Sequence, residues 1–451
     1  MIEKVNMCSF FSINRLLENK AIVYLNRFSK LRGPDETCIE QFNGHTFVHN
    51  LLSITGEYTT QPLFNSRRDI VCLYNGEIYN SAEFGEYKSD GEVLIPLYEK
   101  YGSSFIQKLD GEFAIVLYDF KKKIIIASTD IFATKPLWMS VEDDRVGFAS
   151  YESCLLRAGF STRGIRKIAA NKTYIMQLNG SPLSEKKVYS FDISNQHKKT
   201  YDDWISSYEK SIEKRVRNCK ENIFIGLSSG YDSMTIAHAL KKQKIKFKSY
   251  SIYARENYEL LEQRQKLMPD GTLIRLTKKD FEETKNKLKK DCEEFMYQTS
   301  MNRGPMTEDK GAVGMYYICD LARQAGCKIL LSGQGADEVY SDYGHAGLKL
   351  SSVSGLAGDF PDDLTTCFPW KNFYGGTQIS YLAKEEHVAG IFGIEARYPF
   401  LDKEVVQEFF WLDKKLKNIY YKAPLHEYLT RNKIPFEEKV KIGFSANANL
   451  I

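Results

Sequence analysis

Two textures of apolar and polar positions divide the chain. From Met7 to about Ser190, short apolar or alternating runs recur at 46–48, 70–73, 113–117, 124–127, 145–148 and 173–177. Runs of that length, rich in β-branched and aromatic residues, predict strands. Arg32-Gly33-Pro34-Asp35, Asn75-Gly76 and Asp110-Gly111 read as turns between them. The stretch 91–102 reads as a helix. Two packed sheets with flanking helices are expected for this half. A polar connector, 191–199, breaks the texture. Beyond it, 201–219 predicts an amphipathic helix with Trp204, Ile205, Tyr208, Ile212 and Val216 on one face. Strand-like runs at 223–227, 246–253, 272–276 and 327–331 then alternate with helical patterns at 279–295 and 312–324. That alternation predicts a doubly wound parallel sheet, whose ligands sit at the carboxyl ends of its strands. The expected domains are 1–195 and 200–451, and the fold class is two-domain α/β.

Both acidic loops of the second half fall at such strand ends. The apolar run Ile223, Phe224, Ile225, Leu227 leads into Ser228-Ser229-Gly230-Tyr231-Asp232-Ser233, and a helical pattern follows. Backbone N–H groups at a helix start are unpaired and favour anions. Ser228, Ser229 and Ser233 add hydroxyls, and Gly230 lets the backbone approach a phosphate. Asp232 would repel phosphate, so it makes sense as a ligand of Mg²⁺ carried on the phosphates. The loop is not a Walker A motif, because no Gly-Lys-Ser/Thr follows. The second loop, Ser332-Gly333-Gln334-Gly335-Ala336-Asp337-Glu338, offers Asp337 as a second carboxylate for the same metal.

Composition narrows the partners. The 451 residues are 43% hydrophobic, with 62 basic and 58 acidic side chains for a net charge of +4. Short runs such as Lys121-Lys122-Lys123 read as solvated faces, so nucleic acid is not expected. Nine cysteines without a C-x-x-C pair argue against a disulfide framework and a zinc site. No run approaches the ~20 apolar residues of a membrane span. No secretory signal is expected at the start, and the cytoplasm is the expected compartment.

A family resemblance runs through both halves. Ser228 to Ser233 resembles the Ser-Gly-Gly-x-Asp-Ser pyrophosphate loop of ATP pyrophosphatases, with Ser229 at the first glycine. Met7-Cys8-Ser9-Phe10, Arg32-Gly33-Pro34-Asp35, His49-Asn50-Leu51-Leu52-Ser53-Ile54 and Asn75-Gly76-Glu77-Ile78-Tyr79-Asn80 resemble, in order, the motifs of class II glutamine amidotransferases. Ser89-Asp90-Gly91-Glu92, Asp110-Gly111-Glu112-Phe113-Ala114 and Lys135-Pro136-Leu137 continue the register. Further on, Glu395-Ala396-Arg397-Tyr398-Pro399-Phe400-Leu401-Asp402, Lys422-Ala423-Pro424-Leu425 and Lys441-Ile442-Gly443-Phe444-Ser445 match segments of asparagine synthetases. The chain is therefore similar to the glutamine-hydrolysing asparagine synthetase family from Met7 to about Ser445.

The resemblance implies an N-terminal-nucleophile αββα sandwich followed by an ATP-pyrophosphatase domain. It implies a ligase that adenylates a carboxylate, releasing AMP and pyrophosphate, and amidates it with ammonia from glutamine. Cys8 would attack the glutamine amide, with its own α-amine as base. The Asn75 side chain and the Gly76 N–H would form the oxyanion hole. Glu77 would join them in the glutamine pocket, and Asp90 would bind the substrate ammonium. Leu227, Ser228, Ser229, Gly230, Asp232, Ser233, Ser332, Gly333, Lys422 and Lys441 would hold ATP and pyrophosphate, with Mg²⁺ on Asp232 and Asp337. Lys441 would neutralise charge on the α-phosphate, and Glu395 would orient the attacking amine or Arg397. Expected cofactors are ATP and Mg²⁺. Expected partners are glutamine, a small carboxylate acceptor and a second copy of the chain, with neither nucleic acid nor membrane.

Four departures shape the expectation. Cys8 is preceded by other residues, so a free α-amine needs translation from Met7 and its removal, or processing. Ser9 replaces a glycine. Leu51 stands at the arginine that pairs with the glutamine carboxylate. Gln334 stands at a glutamate, a position also altered in β-lactam synthetases, so the acceptor is expected to differ from aspartate. One alternative is an enzyme like β-lactam synthetases or lasso-peptide cyclases, with an idle first domain and an amine of the substrate as nucleophile. A silent binding protein is the other, and the joint presence of Asp232, Asp337 and Lys441 counts against it.

Overall fold

The structure is a computed structural model that describes residues 8–54, 56–217, 219, 222–254, 256–268, 270–297, 304–438, 444 and 446. The chain divides into two compact units. One runs to Ser190 and includes 218–220 and 390–393, and the other takes 191–217, 221–389 and the rest from Ile394.

Among its described residues the first unit holds two six-stranded antiparallel sheets. Ser9–Ile13 lies between His45–Leu51 and Arg145–Ala149 in one, and Ile70–Ile78 lies between Gly111–Asp119 and Leu63–Phe64 in the other. Successive strand residues face opposite sides. Phe10, Phe47 and Phe148 of the first sheet therefore meet Val71, Leu73, Val116 and Tyr118 of the second in one core. Their neighbours Phe11, Ile13 and Val48 pack outward on Ile22 and Leu25 of the helix Asn19–Leu25 and on Leu155 of Glu152–Arg157. Cys72, Tyr74 and Leu117 pack on Leu94, Leu97 and Tyr98 of the helix Leu94–Tyr101. Both faces of the inner strands are buried, which is why those strands read as apolar runs rather than strict alternations. The layers form an αββα sandwich.

One turn expectation is corrected. Asn75-Gly76 is not a turn but lies within Ile70–Ile78, paired through Ala114 and Phe113 to the neighbouring strand. Gly76 has φ of +133°, and a Cβ there would lie 1.9 Å from the Glu112 carbonyl oxygen. The glycine lets one strand continue past a local distortion.

The second unit is built on a five-stranded parallel sheet in the order Gly271–Ile274, Phe247–Ile252, Asn222–Gly226, Cys327–Leu331, Glu395–Arg397. The strand first in sequence is central, and the chain winds to one side of it and then the other. The order reverses between Asn222–Gly226 and Cys327–Leu331, the switch point that opens a crevice beyond the strand ends. Helices Tyr231–Lys242, Tyr258–Leu267, Lys310–Gln324 and Gly376–Ile391 surround it. The polar connector belongs to this unit. Phe191 packs edge-on to Phe368, Phe373 and Phe410, and the Asp192 N–H donates to Gln407. Among the described residues, no helix is long and apolar enough to cross a membrane.

Candidate active site

At the switch point, the loop after Asn222–Gly226 is ordered by its own hydroxyls. The Ser228 N–H donates to Ser233 Oγ at 3.0 Å, and the Gly230 N–H donates to Ser228 Oγ at 3.1 Å. Helix Tyr231–Lys242 starts at Gly230, with no side chain capping it. Its first N–H groups thus face the crevice with their partial positive charge. The loop is held from behind by Arg264, a fully buried arginine. Its Nη1 donates to the carbonyls of Ser228 at 2.7 Å and Gly230 at 2.8 Å, and its Nη2 to that of Pro435 at 3.1 Å. Ser229 is engaged by Glu256, whose carboxylate accepts from the Ser229 N–H at 2.7 Å and from its hydroxyl.

The second loop meets the first in van der Waals contact. A Cβ on Gly333 would lie 2.7 Å from the Asp232 Cβ, so only glycine allows the approach. Asp232 and Asp337, from separate strand ends, converge on one ammonium. Lys422 Nζ is 2.7 and 2.8 Å from the Asp232 oxygens and 2.9 Å from Asp337 Oδ1. Lys422 is buried and adopts a left-handed φ of 47° before the helix Ala423–Arg431. Burial alone would lower its pKa, but the two carboxylates outweigh burial and raise it. Tyr421 also donates to Asp337.

Ser228, Gly230, Asp232, Ser233, Ser332, Gly333 and Asp337 line a cavity of about 360 Å³. The helices Lys310–Gln324 and Gly376–Ile391 also contribute to its lining. There Gln334 Nε2 donates to Glu385 Oε1 at 3.1 Å. Burial pushes the Glu385 carboxyl up to about 6, against the pull of the Ser332 hydroxyl, the Lys384 ammonium and the Gln334 amide. Beside it, Lys384 Nζ lies 3.4 Å from Asp309, which also accepts from Tyr297 at 2.7 Å.

Asp232, Asp337, Lys422, Ser228, Gly230, Ser233, Ser332 and Gly333 thus come together. Leu227 is buried at the strand end, where its N–H donates to the Tyr250 carbonyl. Glu395 is elsewhere. It is buried in the edge strand, where Arg397 Nε donates to it at 2.6 Å, and it is not among the residues lining the cavity. Lys441 lies outside the described residues, although Phe444 of the same segment lines the cavity. Motif reading missed Arg264, Glu256 and Glu385. Only Gln334 hinted at the last, because an amide in place of a carboxylate leaves room for an acid nearby.

In the first unit, Cys8 immediately precedes the strand Ser9–Ile13 and is mostly buried, its carbonyl accepting from buried Arg32 at 3.0 Å. Asn75 is fully buried, and both polar atoms of its side chain lack hydrogen-bond partners in the described structure. A buried amide left open this way costs free energy unless a ligand completes it. Asp90 accepts from Tyr74 at 2.6 Å and from the Ile78 N–H at 2.7 Å, which ties it to the strand carrying Asn75, Gly76 and Glu77. Leu51 is buried. Arg67 and Arg68 supply no replacement cation. Both are exposed, Arg67 pairing with Asp69 and Glu99 and Arg68 stacking on Phe64.

Comparison with known proteins agrees with both halves. Residues 7–195 match the glutamine amidotransferase domain family, and residues 207–371 match the asparagine synthase family. A putative glutamine-hydrolysing asparagine synthetase of Methanocaldococcus jannaschii is 29% identical over 423 residues, covering 87% of this chain and 73% of that one. Asparagine synthetase 2 of Oryza sativa is 25% identical, covering 94% and 72%, and asparagine synthetase B of Escherichia coli is 25% identical, covering 88% and 74%. With an αββα amidotransferase fold ahead of a parallel-sheet synthetase unit, and both families matched in that order, the chain belongs to the asparagine synthetase family of C–N-bond-forming ligases.

Proposed function

We propose that this protein is an ATP- and Mg²⁺-dependent amidotransferase that adenylates a carboxylate and converts it to an amide with nitrogen from glutamine. The observation that carries the reading is the convergence of Asp232 and Asp337 on Lys422 at the switch point, beside an uncapped helix start. One or two carboxylates plus phosphate oxygens are what Mg²⁺ takes at nucleotide sites, so this donor pair fits that ion. The helix start and the Ser228 and Ser233 hydroxyls suit a pyrophosphate, and Lys422 supplies positive charge where charge develops on the leaving group. Family membership supports ATP and glutamine as substrates. In the first unit, Cys8 is the nucleophile, Asn75 and Gly76 form the oxyanion hole, and Asp90 takes the ammonium of glutamine. The unsatisfied Asn75 amide supports that assignment. The acceptor is a carboxylate other than aspartate, on the ground that Gln334 replaces an acid. The test is pyrophosphate release from ATP and Mg²⁺ with a panel of carboxylates, with and without glutamine. Asp232→Asn should reduce release on the order of a thousandfold or more, because a ligand to the phosphate cluster is worth several kcal/mol in the transition state. Normal turnover in that variant removes the metal assignment.

A second reading, in which the first unit is idle and the substrate supplies its own amine, draws on Leu51. A leucine offers no charged hydrogen bond to the glutamine carboxylate. Pyrophosphate release that is independent of glutamine and of added ammonium would select this reading.

A further inference from the structure

We propose that Glu385 is the general base of the amide-forming step, with Gln334 as its positioning residue. This inference rests on the adenylation reading above and names a group that the motif-bearing segments do not contain.

The geometry carries it. Glu385 stands on the helix Gly376–Ile391 and lines the same cavity as the phosphate loop. It is about nine-tenths buried. One oxygen accepts from Gln334 Nε2 at 3.1 Å. The other, Oε2, is buried and makes no hydrogen bond in the described structure, and the residue lines the cavity. A buried, half-satisfied carboxylate is costly, and such groups mark sites that a ligand completes. Gln334 belongs to the loop that also carries Asp337, so one short segment links this carboxylate to the phosphate end. A glutamine at 334 can donate to Glu385 and hold it; a glutamate there would repel it. The acid at this end of the cavity is thus supplied by the helix Gly376–Ile391.

The charged and titratable groups around Glu385 among the described residues come from three segments. On its own helix are Lys384, drawn toward Asp309, and Glu386, which accepts from Tyr398. From Lys310–Gln324 come the Cys319 thiol, which burial and then Glu385 push up, and Asp320. Tyr381, Tyr343 and Asp337 complete the cavity wall. Among the described residues in this set Lys384 is the cation, and it lies 3.4 Å from Asp309. With burial dominating, the carboxyl titrates near 6. Above that pH it is ionised and able to take a proton, and a base near the working pH is the efficient choice.

The step balances without another reactant. The nitrogen lone pair attacks the carbonyl carbon of the acyl adenylate, forming the C–N bond. The nitrogen becomes positively charged, and one of its protons passes to Glu385 Oε2. The C–O bond to the α-phosphate breaks, AMP leaves with that electron pair, and the amide remains.

The experiment uses the full chain with ATP, Mg²⁺, ammonium chloride and a carboxylate panel headed by L-aspartate. Two signals are read: acceptor-dependent pyrophosphate–ATP exchange without a nitrogen source, and amide formation with it. In Glu385→Gln, exchange should stay within a few-fold of wild type, while amide formation should fall about a hundredfold to ten-thousandfold, the usual range for a general base. At a constant concentration of free NH3, kept by raising total ammonium as the pH falls, wild-type amide formation should decline about tenfold per pH unit below 6. That limb should vanish in Glu385→Gln, return in Glu385→Asp, and shift without vanishing in Gln334→Ala. An intact rate and limb in Glu385→Gln overturn the proposal. Parallel loss of exchange also overturns it, because the residue would then hold the acceptor or the fold. If wild type shows no exchange with any carboxylate, the adenylation reading fails and this inference falls with it.

Discussion

Replacing Lys422 with methionine tests the electrostatic centre of the synthetase unit. The change keeps the side-chain length and removes the ammonium that Asp232 and Asp337 share at 2.7 to 2.9 Å. At an effective dielectric of about 20, each pair represents roughly 6 kcal/mol of attraction. Desolvating the charges offsets much of that, and removing one member of a buried cluster costs about 3–5 kcal/mol net. The penalty arises because two carboxylates are left side by side without a countercharge. For a unit of this size, about 2–4 °C per kcal/mol translates it into a fall in Tm of roughly 6–20 °C. The same argument predicts a rescue. Without the lysine, the two carboxylates should take up Mg²⁺ without nucleotide, and an ion at a hundred times its Kd restores about 2.7 kcal/mol. The assay is thermal and guanidinium unfolding of wild type and Lys422→Met, each with EDTA and with Mg²⁺ titrated from micromolar to 20 mM (about that range suffices for a weak two-carboxylate site). Expected is a destabilised variant that gains several degrees from Mg²⁺, beside a wild type that gains little. A variant within about 1 kcal/mol of wild type, or equal gains in both, refutes the reasoning.

Gly333→Ala places a methyl 2.7 Å from the Asp232 Cβ, so one loop must shift by several tenths of an ångström. Pyrophosphate release should fall roughly tenfold to a hundredfold, with a stability loss of about 1–3 kcal/mol; unchanged kinetics would show that the loops need not meet. In a protein whose chain begins at Cys8, glutamine should be hydrolysed, Cys8→Ala should abolish glutamine use, and ammonia-driven synthesis should survive. In the same protein, Leu51→Arg should tighten glutamine use by roughly tenfold to a hundredfold, the worth of a charged hydrogen bond. No glutamate from glutamine with either residue at 51 would make the first unit a scaffold.

Much of the architecture is legible because it follows from local pattern. The strand Cys327–Leu331 is read to the residue, since an unbroken apolar run ends at Ser332-Gly333. The helix 312–324 begins two residues earlier, where Asp309 caps it through the Gly311 N–H. The helix read as 279–295 stops at Asp291, because Cys292 turns extended there. Asn75-Gly76 misleads because that dipeptide favours turns, yet the close passage of Glu112 demands glycine inside a strand. At the site, residues in motifs are legible and their supports are not. Arg264 lies 36 residues from the Ser228 it clamps, Glu256 lies 27 from Ser229, and Glu385 lies 51 from Gln334. Each sits among other charged residues in a polar-looking segment, where local pattern cannot separate a buried partner from a solvated face.

The departures from the family pattern divide by how the fold receives them. Ser9 is answered within its own unit: its hydroxyl donates to the Ser29 carbonyl at 2.7 Å and accepts from Asn50 at 3.0 Å. Ser229 is answered by Glu256, and Gln334 by Glu385. In those three places a new polar group has a matched partner, so burying it carries no unpaired-group penalty. Leu51 differs in kind. It exchanges a charge for an apolar side chain that is simply buried, and neither Arg67 nor Arg68 turns inward to restore that charge. In the synthetase unit, Ser229 and Gln334 are thus each held by a carboxylate from another segment. The amidotransferase unit keeps a buried Asn75 amide without a hydrogen-bond partner in the described structure. An idle domain would gain stability by satisfying or replacing that asparagine, a change worth about 1–3 kcal/mol. Its presence supports the proposed oxyanion-hole role of Asn75, with Leu51 setting the glutamine affinity expected of the proposed pocket.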